Sequence, residues 1–301
     1  MKTPKVAVWV VLWLLLAPAA SPARVKPPPP SEAVAVIDLQ KPLQGRSAAT
    51  VELGGGVTLT LTSLDGLMRQ HLTVLANGRK LLDLEGGRFL ACGRLQVGPA
   101  TYWGIAEYTG GAHCCGEYAF LAQAGPGEPV RFLGKTRGYG GGPRGFPESF
   151  KVRRGQVFFE GFDNRFDYFH ASHADSLLVN VPPYYYHLTP AALTIDNLPF
   201  KFVYLREIGQ LDQLLKQVAM ARTTKPEAIL VPGYQPGYES MVFADTLGQL
   251  LVKRTILYLY ARQDRKAWDT FRQDVARFYR TSDWAPQLEQ EIIQLMGEYP
   301  Y

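Results

Sequence analysis

The residues Gly110-Gly111-Ala112-His113-Cys114-Cys115 bring a histidine and two adjacent thiols together after a glycine pair, between two aromatic runs. Thiolates act as nucleophiles and metal ligands, and imidazole serves as base or ligand, so this is where the chain's types and spacing point to chemistry. In an oxidising compartment the same sulfurs instead close on each other or reach a third one, Cys92, and make the turn covalently stiff. Three cysteines allow three pairings, each leaving one thiol over. A Cys114–Cys115 bond closes a very small ring, whereas a link from Cys92 to either one clips two strands together and stabilises by about 3 kcal/mol when unstrained. Zinc requires three or four converging ligands. His113, Cys114 and Cys115 are consecutive, and consecutive strand residues point to opposite faces, so at most two of them converge in regular backbone. The same alternation turns His113 away from Cys114 as an activating base.

A second constellation is Asp163, Arg165, Asp167, His170 and His173. Acid, base and cation folded onto one cleft do general acid-base chemistry. The plainer reading is a turn at Asp163-Asn164, with Arg165 paired to a carboxylate across a sheet. The glycine-rich run Gly138–Pro143 lacks the lysine-serine or lysine-threonine ending of a nucleotide loop and reads as a connection. Tyr184, Tyr185 and Tyr186 offer an aromatic platform for a sugar or peptide; in a strand they alternate faces and divide between core and edge. Gly110, Gly111, His113, Asp163, Arg165 and His170 are the candidate binding residues, and Cys92, Cys114 and Cys115 the candidate disulfide residues. No catalytic set is completed, and no cofactor or metal is implied.

The elements that must position these residues fall into two halves. From Val34 to Phe202 the chain is dense in glycine, aromatics and β-branched residues, with short apolar runs between turn signals. Val57–Thr62 alternates with period two. Asn77-Gly78, between His71–Leu75 and Lys80–Leu84, predicts a hairpin with a type I′ turn. Further strands are expected at Phe89–Val97, Tyr102–Tyr108, Glu117–Ala122, Val130–Leu133, Ser149–Val152, Val157–Phe162 and Ser176–Val181. After Leu205 the period changes: Leu205, Ile208, Leu211, Leu214, Leu215 and Val218 form a helical stripe. Further helices are expected from Ser240 to about Arg262, from Asp264 through Phe278, and from Asp283-Trp284-Ala285-Pro286 around Leu288, Ile292 and Leu295. Pro226–Gly237 reads as an exposed connection. The expected fold is α+β: an antiparallel β domain over 34–202, built as propeller-like blades, a sandwich or a barrel, followed by a helical bundle over 203–301.

The start of the chain reads as a secretory signal over 1–23: Lys2 and Lys5, an apolar run from Val6 to Leu16, and small residues through Ala23. The run is about 11 residues, short of the roughly 20 a spanning helix needs. Cleavage at Ala19, Ala20 or Ala23 is expected, with an uncleaved anchor as the alternative. Residues 24–33, with Pro27–Pro30, form an extended tether. The formal charge of +5 falls to about +3 when Lys2 and Lys5 leave, too small and scattered for nucleic acid. No stable membrane span follows the signal. The partners to expect are another envelope protein or a small ligand, and the expected location is the periplasm or the medium.

Three stretches resemble a known group. Tyr102–Tyr118 with its Gly-Gly-Ala-His-Cys-Cys turn, Gly161–Asn180, and Leu257–Phe278 with Trp268 resemble exported bacterial proteins related to the FG-GAP or VCBS propeller-like repeats, over roughly half of the chain. The resemblance implies a β-rich exported binding or structural module. Such repeats often carry an acidic calcium loop, whereas the corresponding turns here are taken as Cys92-Gly93-Arg94 and Arg153-Arg154-Gly155, which lack the anionic oxygens calcium needs. The alternative reading is a thiol-dependent redox or hydrolytic enzyme, or a metal-binding protein, using Cys114 or Cys115 with His113.

Overall fold

A computed structural model describes residues 34–65, 68–110, 116–136, 148–166, 169, 178, 183–224, 246–279 and 284–297. In chain order the strands are β1 (Ala35–Asp38), β2 (Ala48–Gly54), β3 (Val57–Ser63), β4 (Gln70–Ala76), β5 (Arg79–Gly86), β6 (Arg88–Val97), β7 (Ala100–Tyr108), β8 (Gly116–Gln123), β9 (Arg131–Lys135), β10 (Phe150–Arg153), β11 (Gln156–Phe162), β12 (Pro183–Leu188) and β13 (Leu193–Ile195). Among the described residues four α-helices follow: α1 (Lys201–Thr224), α2 (Thr246–Tyr260), α3 (Asp264–Phe278) and α4 (Ala285–Gly297).

The strands form three open antiparallel sheets, each a run of sequential neighbours. β2-β3-β4-β5 make the first, β6-β7-β8-β9 the second with β1 added at the β6 edge, and β10-β11-β12-β13 the third. Among the described residues no sheet closes on itself, so the barrel alternative does not hold. The α+β class is as expected, with strands first and helices last. The hairpin turn has the anticipated form: Asn77 and Gly78 both have positive φ, 49° and 76°, the requirement of type I′.

The second sheet is the centre of the molecule because both of its faces are apolar. On β7, Trp103 and Ile105 point one way, and Tyr102 and Ala106 the other; on β8, Ala119 and Leu121 oppose Tyr118, Phe120 and Ala122. The first face packs on Leu53, Val57, Leu59, Leu61, Leu72 and Val74 of the first sheet. The other packs on the third sheet, with the Phe159 ring 4.6 Å from Tyr118 and 4.9 Å from Phe120. Strands buried on both faces read as near-continuous apolar runs, which β7 and β8 do.

The helices extend that second core. The far side of the third sheet meets the start of α1, where Phe200 stacks on Tyr185 at 3.6 Å and meets Phe158 edge-on at 5.0 Å. The inward stripe of α1 is Tyr204, Ile208, Leu211 and Leu215. Leu205, expected in it, is instead exposed, since one residue rotates the side chain about 100° around the axis. α2 is buried nearly all round, from Leu247 to Tyr260. Its Arg254 reaches Asp212 of α1 at 2.9 Å and also Asp274 of α3. Strands give way to helices at Lys201, yet one hydrophobic cluster runs from the central sheet through the third sheet to Met296. None of the described helices is long and apolar enough to cross a membrane.

The remaining sequence expectations are corrected in detail. Cys92-Gly93-Arg94 is not a turn but the middle of β6, paired with Ile105, Gly104 and Trp103. Arg154-Gly155 is a turn, with φ of 52° and 75°. Pro226–Gly237 and most of the strand expected at Ser176–Val181 lie outside the described residues.

Candidate functional site

The histidine and two thiols fall in the sequence between β7 and β8 of the central sheet. β7 and β8 pair to the last step, Tyr108 against Gly116. Gly110 follows with φ +99°, a conformation that favours glycine. Gly111, His113, Cys114 and Cys115 lie outside the described residues. β9 ends at the same place, where the Tyr118 amide donates to Thr136 Oγ1 at 2.9 Å and the Thr136 amide to the Tyr118 carbonyl at 2.8 Å. Gly138–Pro143, expected as a connection, lies outside the described residues.

A charged trio forms the base of that end. Glu107 and Glu117 stand directly opposite on β7 and β8, an arrangement that like charges disfavour. Lys135 of β9 resolves it, with Nζ 2.9 Å from Glu107 and 3.6 Å from Glu117. Glu107 is only 5% exposed and also accepts the Gly87 amide at 2.9 Å. Gly87 must be glycine here, because a Cβ would lie 2.0 Å from the Tyr108 carbonyl oxygen. Neither Glu107 nor Lys135 stood out in the sequence; their only signal was two acids equidistant from the turn.

Cys92 is remote from solvent and carries a free thiol. It sits on β6 between Ile37 and Ile105, directed into the core with Trp103 and Leu121, and so is not clipped to the turn as the Cys92 pairing expected. Burial pushes the thiol far above its ordinary range. In native protein Cys92 is therefore expected to resist iodoacetamide and to react fully once denatured, read by peptide mass; rapid native labelling would mean that this core opens.

Two members of the second constellation, Asp163 and Arg165, are described, and they meet in a closed knot. β11 ends at Phe162, and a 3-10 turn over Asn164–Phe166 folds Arg165 back onto Asp163. Arg165 Nε donates to Asp163 Oδ1 at 2.8 Å and Nη2 to Oδ2 at 2.5 Å. The carboxylate is thus two residues away, not across the sheet as expected. Two helices complete the knot: the Tyr260 hydroxyl at the end of α2 donates to Asp163, Arg165 Nη2 lies 3.2 Å from that hydroxyl, and Nη1 donates to the Leu295 carbonyl of α4. The side chains are 3% and 7% exposed for Asp163 and Arg165. Burial works against the Arg165 charge, while the bonds to Asp163 outweigh it and raise its pKa. Every group faces inward, so Asp163 and Arg165 join the third sheet to the helices instead of addressing a ligand. His170 lies outside the described residues, as do Asp167 and His173.

Buried phenols surround the knot. Tyr184 and Tyr186 share a face with hydroxyls 2.7 Å apart, Tyr185 takes the other face, and Tyr204 donates to the Pro183 carbonyl at 2.8 Å. All are core residues, which removes the platform reading of Tyr184–Tyr186. Burial, followed by neighbouring phenols and Asp163, holds the Tyr184 ionisation well above its ordinary value, and burial does the same for Tyr260 and Tyr204. Tyr118 is pushed up to about 12 by burial. A phenol that ionises later in the folded chain stabilises the fold while protonated, so stability is full below about pH 10 and falls as pH rises. Absorbance at 295 nm during alkaline titration is expected to show these tyrosines ionising only with unfolding. Smooth ionisation near pH 10 with intact circular dichroism would contradict it.

No family model, no curated protein and no solved structure matches this chain. Among the described residues, no group of three or more histidine, cysteine, aspartate or glutamate side chains is placed to hold a metal ion.

Proposed function

We propose that the chain is an exported periplasmic or cell-surface binding or structural module, in which a stacked β framework and its helices present the Gly110–Cys115 turn at one end of the central sheet. The observation that carries this reading is the central sheet itself. It is apolar on both faces, yet ends in the Glu107–Lys135–Glu117 trio, with Glu107 buried and its two partners half-buried, at the end where β7 leads toward Gly110. Three sequential four-stranded meanders are the connectivity of propeller blades, which supports kinship with the FG-GAP or VCBS type of repeat. With Cys92 buried and free, the Cys114 and Cys115 thiols pass two electrons and two protons to a disulfide-donating oxidant of the exported compartment and join to each other, and the turn becomes a rigid recognition loop.

A non-reducing peptide map of the protein recovered from the periplasm tests this. The expected result is an N-terminus within 20–24, a Cys114–Cys115 disulfide and an unmodified Cys92 thiol. A cytosolic protein with all thiols reduced, or a single thiol at position 114 or 115 that alkylates rapidly, would favour the thiol enzyme instead. Stoichiometric zinc lost on His113→Ala would favour the metal-binding reading.

A further inference from the structure

The outer face of α1 combines exposed apolar and cationic side chains, and its acids are used elsewhere. Phe202 and Leu205 are 54% and 39% exposed, and Leu198 in the turn before the helix is 59% exposed. At about 100° per residue, Phe202, Leu205, Arg206, Gly209, Gln213 and Lys216 fall within one third of the helix circumference. The helix has two acids, Glu207 and Asp212, and both are held by cations of α2: Lys253 at 3.0 Å and Arg254 at 2.9 Å. Lys201, Arg206 and Lys216 make no ion pair among the described residues.

The neighbouring hairpin adds to the same sign of charge. The Arg153 guanidinium lies over the Phe200 and Phe202 rings, 5.6 and 5.0 Å from their centroids; its Nη1 is buried there without a hydrogen-bond acceptor, and the residue as a whole is half-buried. Arg154 beside it is exposed. Asp196 is turned to the backbone, accepting the Leu198 amide at 3.1 Å.

We propose that this face docks the protein peripherally on an anionic phospholipid surface. Leu198, Phe202 and Leu205 enter the acyl boundary, and Arg153, Arg154, Lys201, Arg206 and Lys216 meet the phosphates. A convex strip with cations spread along about 20 Å of helix suits a planar array of negative headgroups, and exposed aromatic and leucine side chains supply the apolar term that interfacial helices use. The inference does not depend on export, since any anionic leaflet provides the same chemistry.

Sedimentation with lipid vesicles tests it, using parent and variants with the same N-terminus. Binding to vesicles of phosphatidylglycerol mixed with phosphatidylcholine is expected to be about tenfold or more tighter than to phosphatidylcholine alone, and to weaken as salt rises. The pair Phe202→Asp with Leu205→Asp, and separately Arg206→Glu with Lys216→Glu, are each expected to lose about tenfold in vesicle binding. Both pairs are at exposed positions, so thermal unfolding should be unchanged. Equal binding to both vesicles, no binding, or full binding by either pair of variants with native circular dichroism would overturn the proposal; an acidic protein partner would then be the better occupant.

Discussion

Replacing Arg165 with alanine is expected to lower the unfolding free energy by about 3–5 kcal/mol, enough to unfold many domains of this size at physiological temperature. The cost arises from what is left behind: the Asp163 carboxylate stays buried with its main cation gone, and the Leu295 carbonyl loses its donor. The paired replacement Asp163→Leu with Arg165→Met should recover most of the loss, because it removes both charges from an apolar setting. Urea denaturation followed by circular dichroism at 222 nm reads the two effects. A loss below about 1 kcal/mol for the single variant would mean that water reaches the pair, as at a surface salt bridge.

Trp103→Ala is expected to cost about 3–5 kcal/mol as well, for a different reason. The indole fills the space between the first and central sheets and donates to the Leu53 carbonyl at 3.4 Å. The β2–β3 turn rests on it so closely that a Cβ on Gly55, φ +67°, would meet the ring at 3.0 Å. Removing the ring leaves a cavity beneath the glycine turn that packs on it. Trp103→Phe should retain about half of that energy, since the ring still fills part of the space. Equilibrium denaturation distinguishes the pair, and equal losses for both variants would assign the effect to the hydrogen bond.

The sequence carried the fold where periodicity was local. The alternation at Val57–Thr62 and the Asn77-Gly78 turn appear as β3 and the β4–β5 hairpin; on α3 the apolar series Trp268, Phe271, Val275 and Phe278 is buried at Phe271 and Val275 and partly buried at Trp268 and Phe278. β1, β2, β12 and β13 had gone unnamed. β1 and β13 are edge strands of 4 and 3 residues, too short for a period to stand out, and β12 begins at a proline and reads as an aromatic cluster. The knot was half legible. Asp163 and Arg165 stood out by proximity, but Tyr260 lies 97 positions further on and the Leu295 carbonyl carries no side-chain signal. A residue pattern records spacing along the chain, whereas this contact is made by the packing of α2 and α4 on the third sheet.

The third sheet, covered by the central sheet on one face and by the helices on the other, has a consequence for how the protein tolerates truncation. Shortening the chain before Lys201 would strip the helices from a continuous oily interior and leave Phe158, Tyr185 and the Asp163–Arg165 pair facing water. Such fragments are expected to self-associate, because contiguous bare apolar surface seeks another copy. Proteolysis within the helical region would therefore act as a destruction signal for the whole molecule, with no separable, soluble β half released.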